Sequence, residues 1–146
     1  MDFSTRTSIN RRLAIAHEVA HKKWNETMAQ TQTFTDTLAV ALQRVSDEHA
    51  AYQKEHGPDA PWPDSDWPRW YAERLTASLG EDRAELQGIL ETAFRHAASA
   101  HGVHEEFDLH GVHDVEWPAW YAEHMTGTLG ANAGRLEPGI KAYLAQ

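Results

Sequence analysis

Residues 116–130 read EWPAWYAEHMTGTLG, and residues 66–80 read DWPRWYAERLTASLG. An acid, Trp-Pro, one variable residue, Trp-Tyr-Ala-Glu, then Thr and Leu-Gly recur in register fifty positions apart. Such self-similarity points to a duplicated unit. Pro68 and Pro118 suit the first turn of a helix, where a missing N–H has no intrahelical partner to lose. Asp66 and Glu116 place negative charge at the positive end of the helix dipole. Gly80 and Gly130 fall where a helix should stop, because glycine enters the left-handed conformation cheaply. Each copy therefore predicts a helix of about three turns. Its first turn carries two indoles and a phenol, apolar bodies whose N–H and O–H groups need partners.

The repetition extends upstream. Leu38, Ala41, Leu42 and Val45 share a helical stripe with His49 and Tyr52. Fifty-two positions on, Leu90, Ala93, Phe94 and Ala97 repeat that stripe, followed by His101 and His104. Leu86 and Ile89 extend this second stripe. The repeat is thus helix, loop, helix, covering 36–80 and 88–130. The first helix of repeat one is capped by Thr35 or Asp36 and stops at Gly57, with Pro58 beyond; 57–65 is a Pro- and Asp-rich loop. The second long helix spans 82–107, and 108–115 is its loop. Gly102 inside it costs about 1 kcal/mol relative to Ala. That predicts either the close approach of another element or an early helix end.

Ahead of the repeats, 1–7 reads as a frayed lead-in. Thr7 or Ser8 then caps a helix over 8–30, with Ile9, Leu13, Ala16, Ala20 and Trp24 on one stripe, widened by Ile15 and Val19. Arg11, Arg12, Lys22 and Lys23 make this helix basic; it packs on acidic neighbours or, as the favoured expectation, is solvated. Polar, β-branched 31–35 should break the chain. The tail, 131–146, should hold a short helix from about Glu137 with Ile140, Tyr143 and Leu144 inward. Nothing alternates with period two. The expected fold is one all-α domain over 1–146: two helical hairpins related by a pseudo-twofold, with the N-terminal helix across them.

The 146 residues can build a substantial core. A formal net charge of −9 makes nucleic acid or an anionic membrane surface an unfavourable partner. There is no Cys, so disulfides and thiolate sites are excluded. No apolar run marks the first ten residues and none reaches membrane-spanning length, so a soluble cytoplasmic protein is expected. The ten His are concentrated in the second half.

Two groups of residues could carry chemistry. His17-Glu18-Val19-Ala20-His21 matches H-E-x-x-H, in which two histidines one turn apart grip a metal such as zinc and the Glu activates water. Lys22 and Lys23 directly behind it are a poor setting for a dication, and no third His stands at protease spacing. The plain alternative is a pair of histidines shielding core from water. The second group is the loop end of repeat two. His101, His104 and Glu105 end one helix, and Asp114, Tyr121 and His124 belong to the next loop and helix; together they could bind a divalent metal, zinc or iron, or act as acid and base. Trp67, Trp70, Tyr71, Trp117, Trp120, Tyr121 and His49 could wall a flat ligand. Equally, these groups could satisfy one another and simply lock the loop. Repeat one carries Tyr52, Gln53 and Arg74 where repeat two has His104, Glu105 and His124, so any catalysis belongs to repeat two. His110 and His113 flank Gly111 on an exposed loop.

Residues 100–126, AHGVHEEFDLHGVHDVEWPAWYAEHMT, resemble a family of small bacterial helical proteins. Members share a His-Gly-x-His-Glu helix end and a Trp-Pro-x-Trp-Tyr-Ala segment. Repeat one resembles the form, with Tyr at the position of His104, found as an extension on glyoxalase-like proteins. The resemblance implies a module rather than a reaction. His110 stands where the family pattern expects glycine.

Three functions follow as expectations. One is a binding module holding a small molecule or protein partner at the aromatic loop ends. The second is a small metal-dependent or acid–base enzyme. The third is a homodimer built through Trp faces.

Overall fold

The computed structural model describes residues 3–57 and 66–146, with the side chains of 3–10 and Leu13 left aside. Its elements are α1 (Phe3–His56), α2 (Trp67–Thr76), α3 (Arg83–Phe107), α4 (Trp117–Leu129) and α5 (Asn132–Leu144). The described residues are all-α and contain no strand. No described helix is long and apolar enough to cross a membrane.

The break expected over 31–35 is not there. The helix expected over 8–30 and the one expected from 36 are a single helix that already starts at Phe3, so neither Thr7 nor Ser8 nor Thr35 nor Asp36 is an N-cap. The helix absorbs its threonines. The hydroxyls of Thr27, Thr31 and Thr33 donate to the carbonyls of Lys23, Thr27 and Ala29 at 3.0, 3.0 and 2.9 Å. A hydroxyl bonded one turn back is satisfied inside the helix, at a small cost in helix stability. No Gly or Pro interrupts 3–56. Gly57 ends α1 as expected, with φ +77° and its N–H on the Gln53 carbonyl at 2.8 Å. The loop expected beyond it, 58–65, lies outside the described residues.

The chain divides into two units, Met1–Thr33 and Phe34–Gln146. In the first, the described side chains of 11–33 are all exposed, Trp24 at 61% and Val19 at 62%. The basic helix is solvated; the Ile9 and Leu13 side chains of its expected stripe lie outside the described set.

The second unit is a helical bundle around one core. From α1 come Phe34, Leu38, Ala41, Leu42 and Val45; from α3, Leu86, Leu90, Ala93, Phe94 and Ala97. These are the two stripes read from the sequence, and Phe94 at the centre is fully buried. Burial of this kind contributes most of a small bundle's stability. Helix α3 packs against α2 and α4, and α2 also packs against α5. The Thr35 and Thr126 hydroxyls share a hydrogen bond at 2.7 Å between α1 and α4. Arg44 donates to the Leu144 carbonyl at 2.8 Å, tying α1 to the end of α5.

Pro68 and Pro118 lie in the first turns of α2 and α4, as expected. Asp66 and Glu116 stand at the N-caps without a side-chain cap bond, so their charge acts through the dipole alone. Gly130 closes α4 with φ +54°, whereas α2 ends at Thr76, ahead of a Gly80 that is not left-handed. Helix α5 begins earlier than Glu137. The Arg135 guanidinium grips Glu85 of α3 at 3.1 Å and Leu136 is fully buried, so tertiary contacts hold the first turn. Gly102 neither ends α3 nor admits a neighbour, since a Cβ there would meet nothing within 4 Å. The close approach is at Gly139 instead, where a Cβ would lie 2.9 Å from the Leu75 carbonyl oxygen of α2.

Candidate functional site

The last turns of α1 and α3 and the first turns of α2 and α4 line an open cavity of about 340 Å³. Its walls come in corresponding pairs. His49 on α1 corresponds to His101 on α3, and Gln53 to Glu105, both fifty-two positions apart. Trp67 and Tyr71 on α2 correspond to Trp117 and Tyr121 on α4, fifty positions apart. His113, from the loop before α4, completes the rim.

Residues four apart on a helix share a face. That is why Trp67 and Tyr71 reach the cavity together, as do Trp117 and Tyr121. The rings meet edge to face: Trp67 to Tyr71 at 5.1 Å, Trp117 to Tyr121 at 5.4 Å, and Trp67 to Tyr121 at 6.1 Å across the two helices. Edge-to-face contact sets the positive rim of one ring against the negative face of the next. Burial pushes the Tyr71 phenol above its ordinary range, partly offset by a hydrogen bond with Ser46. Burial, and then the negative charge of Glu105, push Tyr121 up to about 12. Both phenols stay protonated at neutral pH and remain donors.

His101 is 6% exposed and held on both ring nitrogens. Nε2 lies 3.0 Å from Asp114 Oδ2, and Nδ1 lies 3.4 Å from Glu105 Oε1. The His101 contact holds the Asp114 carboxyl below the usual carboxylate range against the cost of burial; the Glu116 N–H and the charges of His101 and His104 lower it further. Glu105 Oε2 accepts the Asp114 N–H at 2.9 Å and lies 3.6 Å from His113 Nδ1. Asp114 Oδ1 accepts the Glu116 N–H at 3.0 Å. The α3 end, the loop and the α4 start are thereby stitched together through two carboxylates and one imidazole.

The six residues expected to act together do not all converge. His101, Glu105, Asp114 and Tyr121 do. His104 and His124 instead cover the Trp120 indole, at 5.1 and 5.2 Å, with rings within 19° and 8° of parallel. His104 Nδ1 pairs with Asp108 at 2.8 Å. His124 Nε2 and His96 Nδ1 share a proton at 3.1 Å, one ring N–H donating to the bare nitrogen of the other. The ring centres are 5.3 Å apart and the planes differ by only 23°. The two nitrogens therefore point head-on at each other instead of converging on a third atom.

Trp70 and Trp120 do not line the cavity. Trp70 is buried beside His49 and carries Arg74 over its ring at 5.0 Å; Trp120 carries His124 at the corresponding place. Trp70 is buried and Trp120 half-buried. His17 and His21 sit exposed one turn apart in the first unit. Among the described residues no group of three or more His, Asp or Glu is arranged to hold a metal, so the H-E-x-x-H stretch has two imidazoles and no completing ligand. Of the loop pair, His110 is exposed and only His113 joins the site.

Gln53 and His113 were not anticipated as lining residues. The repeat register, which sets Gln53 opposite Glu105, was the available signal for the first; for the second it was the loop pair His110 and His113, a pair able to join a metal site. The His96–His124 contact spans α3 and α4 and had no sequence signal. Comparison of the chain with family models, curated proteins and solved structures gives no match.

Proposed function

We propose that this chain is a binding module that holds a small, flat organic molecule in the cavity between α1, α2, α3 and α4. The observation that carries the reading is the lining: four residue types, His, Gln/Glu, Trp and Tyr, contributed twice at corresponding positions. A duplicated helix-loop-helix unit, with its two halves facing each other across a pseudo-twofold, accounts for that lining. It also accounts for the matched stripes beneath it, and it agrees with the family resemblance in implying a module without a fixed reaction. The volume lies at the lower end of what small-ligand sites occupy, and aromatic walls with a few fixed polar groups are their usual make-up. We place the module in the cytoplasm, in line with a chain free of cysteine.

Titration of the chain with a library of small aromatics, read by indole fluorescence and ligand-observed NMR, tests this. Saturable binding with one site per chain is expected. Trp117→Ala should weaken it by about tenfold or more, as for a central aromatic contact. Trp120→Ala should leave it within a factor of about three. Equal loss in both variants, or no saturable binding, would sink the proposal.

An acid–base enzyme is the second reading, favoured by the His101–Asp114 contact, which orients an imidazole as a carboxylate does in many hydrolases. It ranks behind because a general base needs one nitrogen open to substrate. Both nitrogens of His101 already face carboxylates.

A further inference from the structure

We infer that the molecule held in this cavity is an organic cation, an amine on a compact apolar or aromatic body, with its ammonium at the Glu105 end. The inference rests on the binding reading above and adds the chemical class of the ligand.

The walls of the site decide its sign. Among the described residues no Lys or Arg lines the cavity, and the formal charge they bring to its walls is the Glu105 carboxylate, with Asp114 directly behind His101. One Glu105 oxygen is engaged by the Asp114 N–H. The other, Oε1, lies 3.4 Å from His101 Nδ1, a loose contact that leaves it lone-pair capacity for a further donor. If His101 takes a proton, Asp114 already balances it, so the site stays anionic in either state. The remaining imidazoles are His49, from α1, and His113, which is three-quarters exposed and leans toward Glu105 itself.

The rest of the wall is aromatic. Trp67, Tyr71, Trp117 and Tyr121 line it with aromatic rings, and the negative quadrupole of a ring face attracts a cation and does nothing for a carboxylate or phosphate. A carboxylate beside several aromatic rings is the physical requirement for holding an ammonium that must give up water. The two ends of the cavity differ in one respect that matters here. Glu105 is answered across the site by neutral Gln53. The charged end of the ligand is thereby directed toward α3, and its body toward α1 and α2. The chain's net charge of −9 draws cations from solution in the same sense.

The test is a set of titrations of the full chain near pH 7.5, read by indole fluorescence and calorimetry. The cations are phenethylamine, tryptamine and choline. Each is paired with a neutral alcohol of the same shape: 2-phenylethanol, tryptophol and 3,3-dimethylbutan-1-ol. The anions are 3-phenylpropionate and indole-3-propionate. At least one amine should bind about tenfold or more tighter than its alcohol, with the anions weakest. Glu105→Gln keeps an acceptor for the Asp114 N–H, so the loop stays anchored, and thermal melting checks that it does. That variant should bring the amine down to the affinity of its alcohol and leave the alcohol unchanged. Alcohols or carboxylates binding as tightly as the amines, or an amine indifferent to Glu105→Gln, would overturn the inference while leaving the binding module standing. If none of the compounds saturates the site, the binding reading falls and takes this one with it.

Discussion

His101 Nε2 stands 3.0 Å from Asp114 Oδ2, and that contact fastens the end of α3 to the loop that starts α4. It is a charge-assisted contact made largely out of water, with side-chain exposures of 8% and 13%. The carboxyl of Asp114 is held below its ordinary range, first by His101. A carboxylate with a lowered pKa binds its proton later than the unfolded chain does. Its contribution to stability is therefore complete above the unfolded value of about 3.9, and is lost as the pH falls through the lower folded value.

Asp114→Asn should accordingly destabilise the protein at neutral pH, by about 2 kcal/mol, the range for a hydrogen bond to a charged group, because asparagine keeps one acceptor oxygen and puts an NH2 donor where the other stood. Urea midpoints of both proteins between pH 7 and pH 2.5 check this. The gap between them should close in the acid limb. A gap as wide at pH 2.5 as at pH 7 would mean that shape, and not charge, holds the loop.

His124 makes the opposite kind of site, an imidazole pressed toward neutrality. Its pKa is lowered first by burial and then by the charge of His96. The native protein takes up this proton later than the unfolded chain, so stability declines as the pH falls from about 6.5 through the folded value. Removing His96 removes the smaller cause and leaves the larger. In an NMR titration, His96→Ala should raise the His124 midpoint part of the way toward an ordinary histidine. An unchanged or lower midpoint would show that the head-on contact has no electrostatic consequence.

Two glycines separate backbone preference from packing. Gly102 lies inside α3 with open space around a would-be Cβ, while Gly139 lies inside α5 against Leu75 and Leu79 of the α2 end. Both substitutions to alanine gain the same helix preference, roughly 1 kcal/mol. Gly102→Ala should show that gain in a urea titration. Gly139→Ala must move a backbone oxygen as well as a leucine, and overpacking of this kind costs about 1–3 kcal/mol. Its net effect should be a loss. The same sign in both variants would contradict the helix contact.

These cases indicate where the sequence could be read and where it could not. The stripes at Leu38–Val45 and Leu90–Ala97 were legible because burial follows the helix period, and the core uses both. The continuity of α1 was not. Threonine counts against a helix on average, yet here the hydroxyls of Thr27, Thr31 and Thr33 are satisfied one turn back and no Gly or Pro breaks the run. The aromatic quartet was half legible. All six residues of the two Trp-Trp-Tyr sets were candidates, but only the pairs four apart, Trp67 with Tyr71 and Trp117 with Tyr121, face inward. Trp70 with Arg74, and Trp120 with His124, form the adjoining face. Which of two neighbouring faces looks inward depends on where α1 and α3 lie, and no local pattern states that. Of the two histidines expected beside His101, His104 stands next to it with ring centres 5.9 Å apart, but both it and His124 stack on Trp120, on that adjoining face.

His110 offers the last test, because its backbone and its residue type disagree. It has φ +53°, the left-handed region, and is followed by Gly111 at φ +82°. The turn is pinned from behind: Leu109 N–H donates to the His104 carbonyl at 3.2 Å and Gly111 N–H to the Glu105 carbonyl at 2.8 Å. A side chain in that region is strained by on the order of 1 kcal/mol, which glycine avoids. His110→Gly should relieve the strain, offset in part by a looser unfolded chain. The expected net gain is about 0.5 kcal/mol, with no change in ligand binding, because the exposed imidazole does not line the cavity. Loss of stability in the urea titration would mean that the ring makes a contact worth more than the strain it causes. Loss of binding would place His110 in the site with His113.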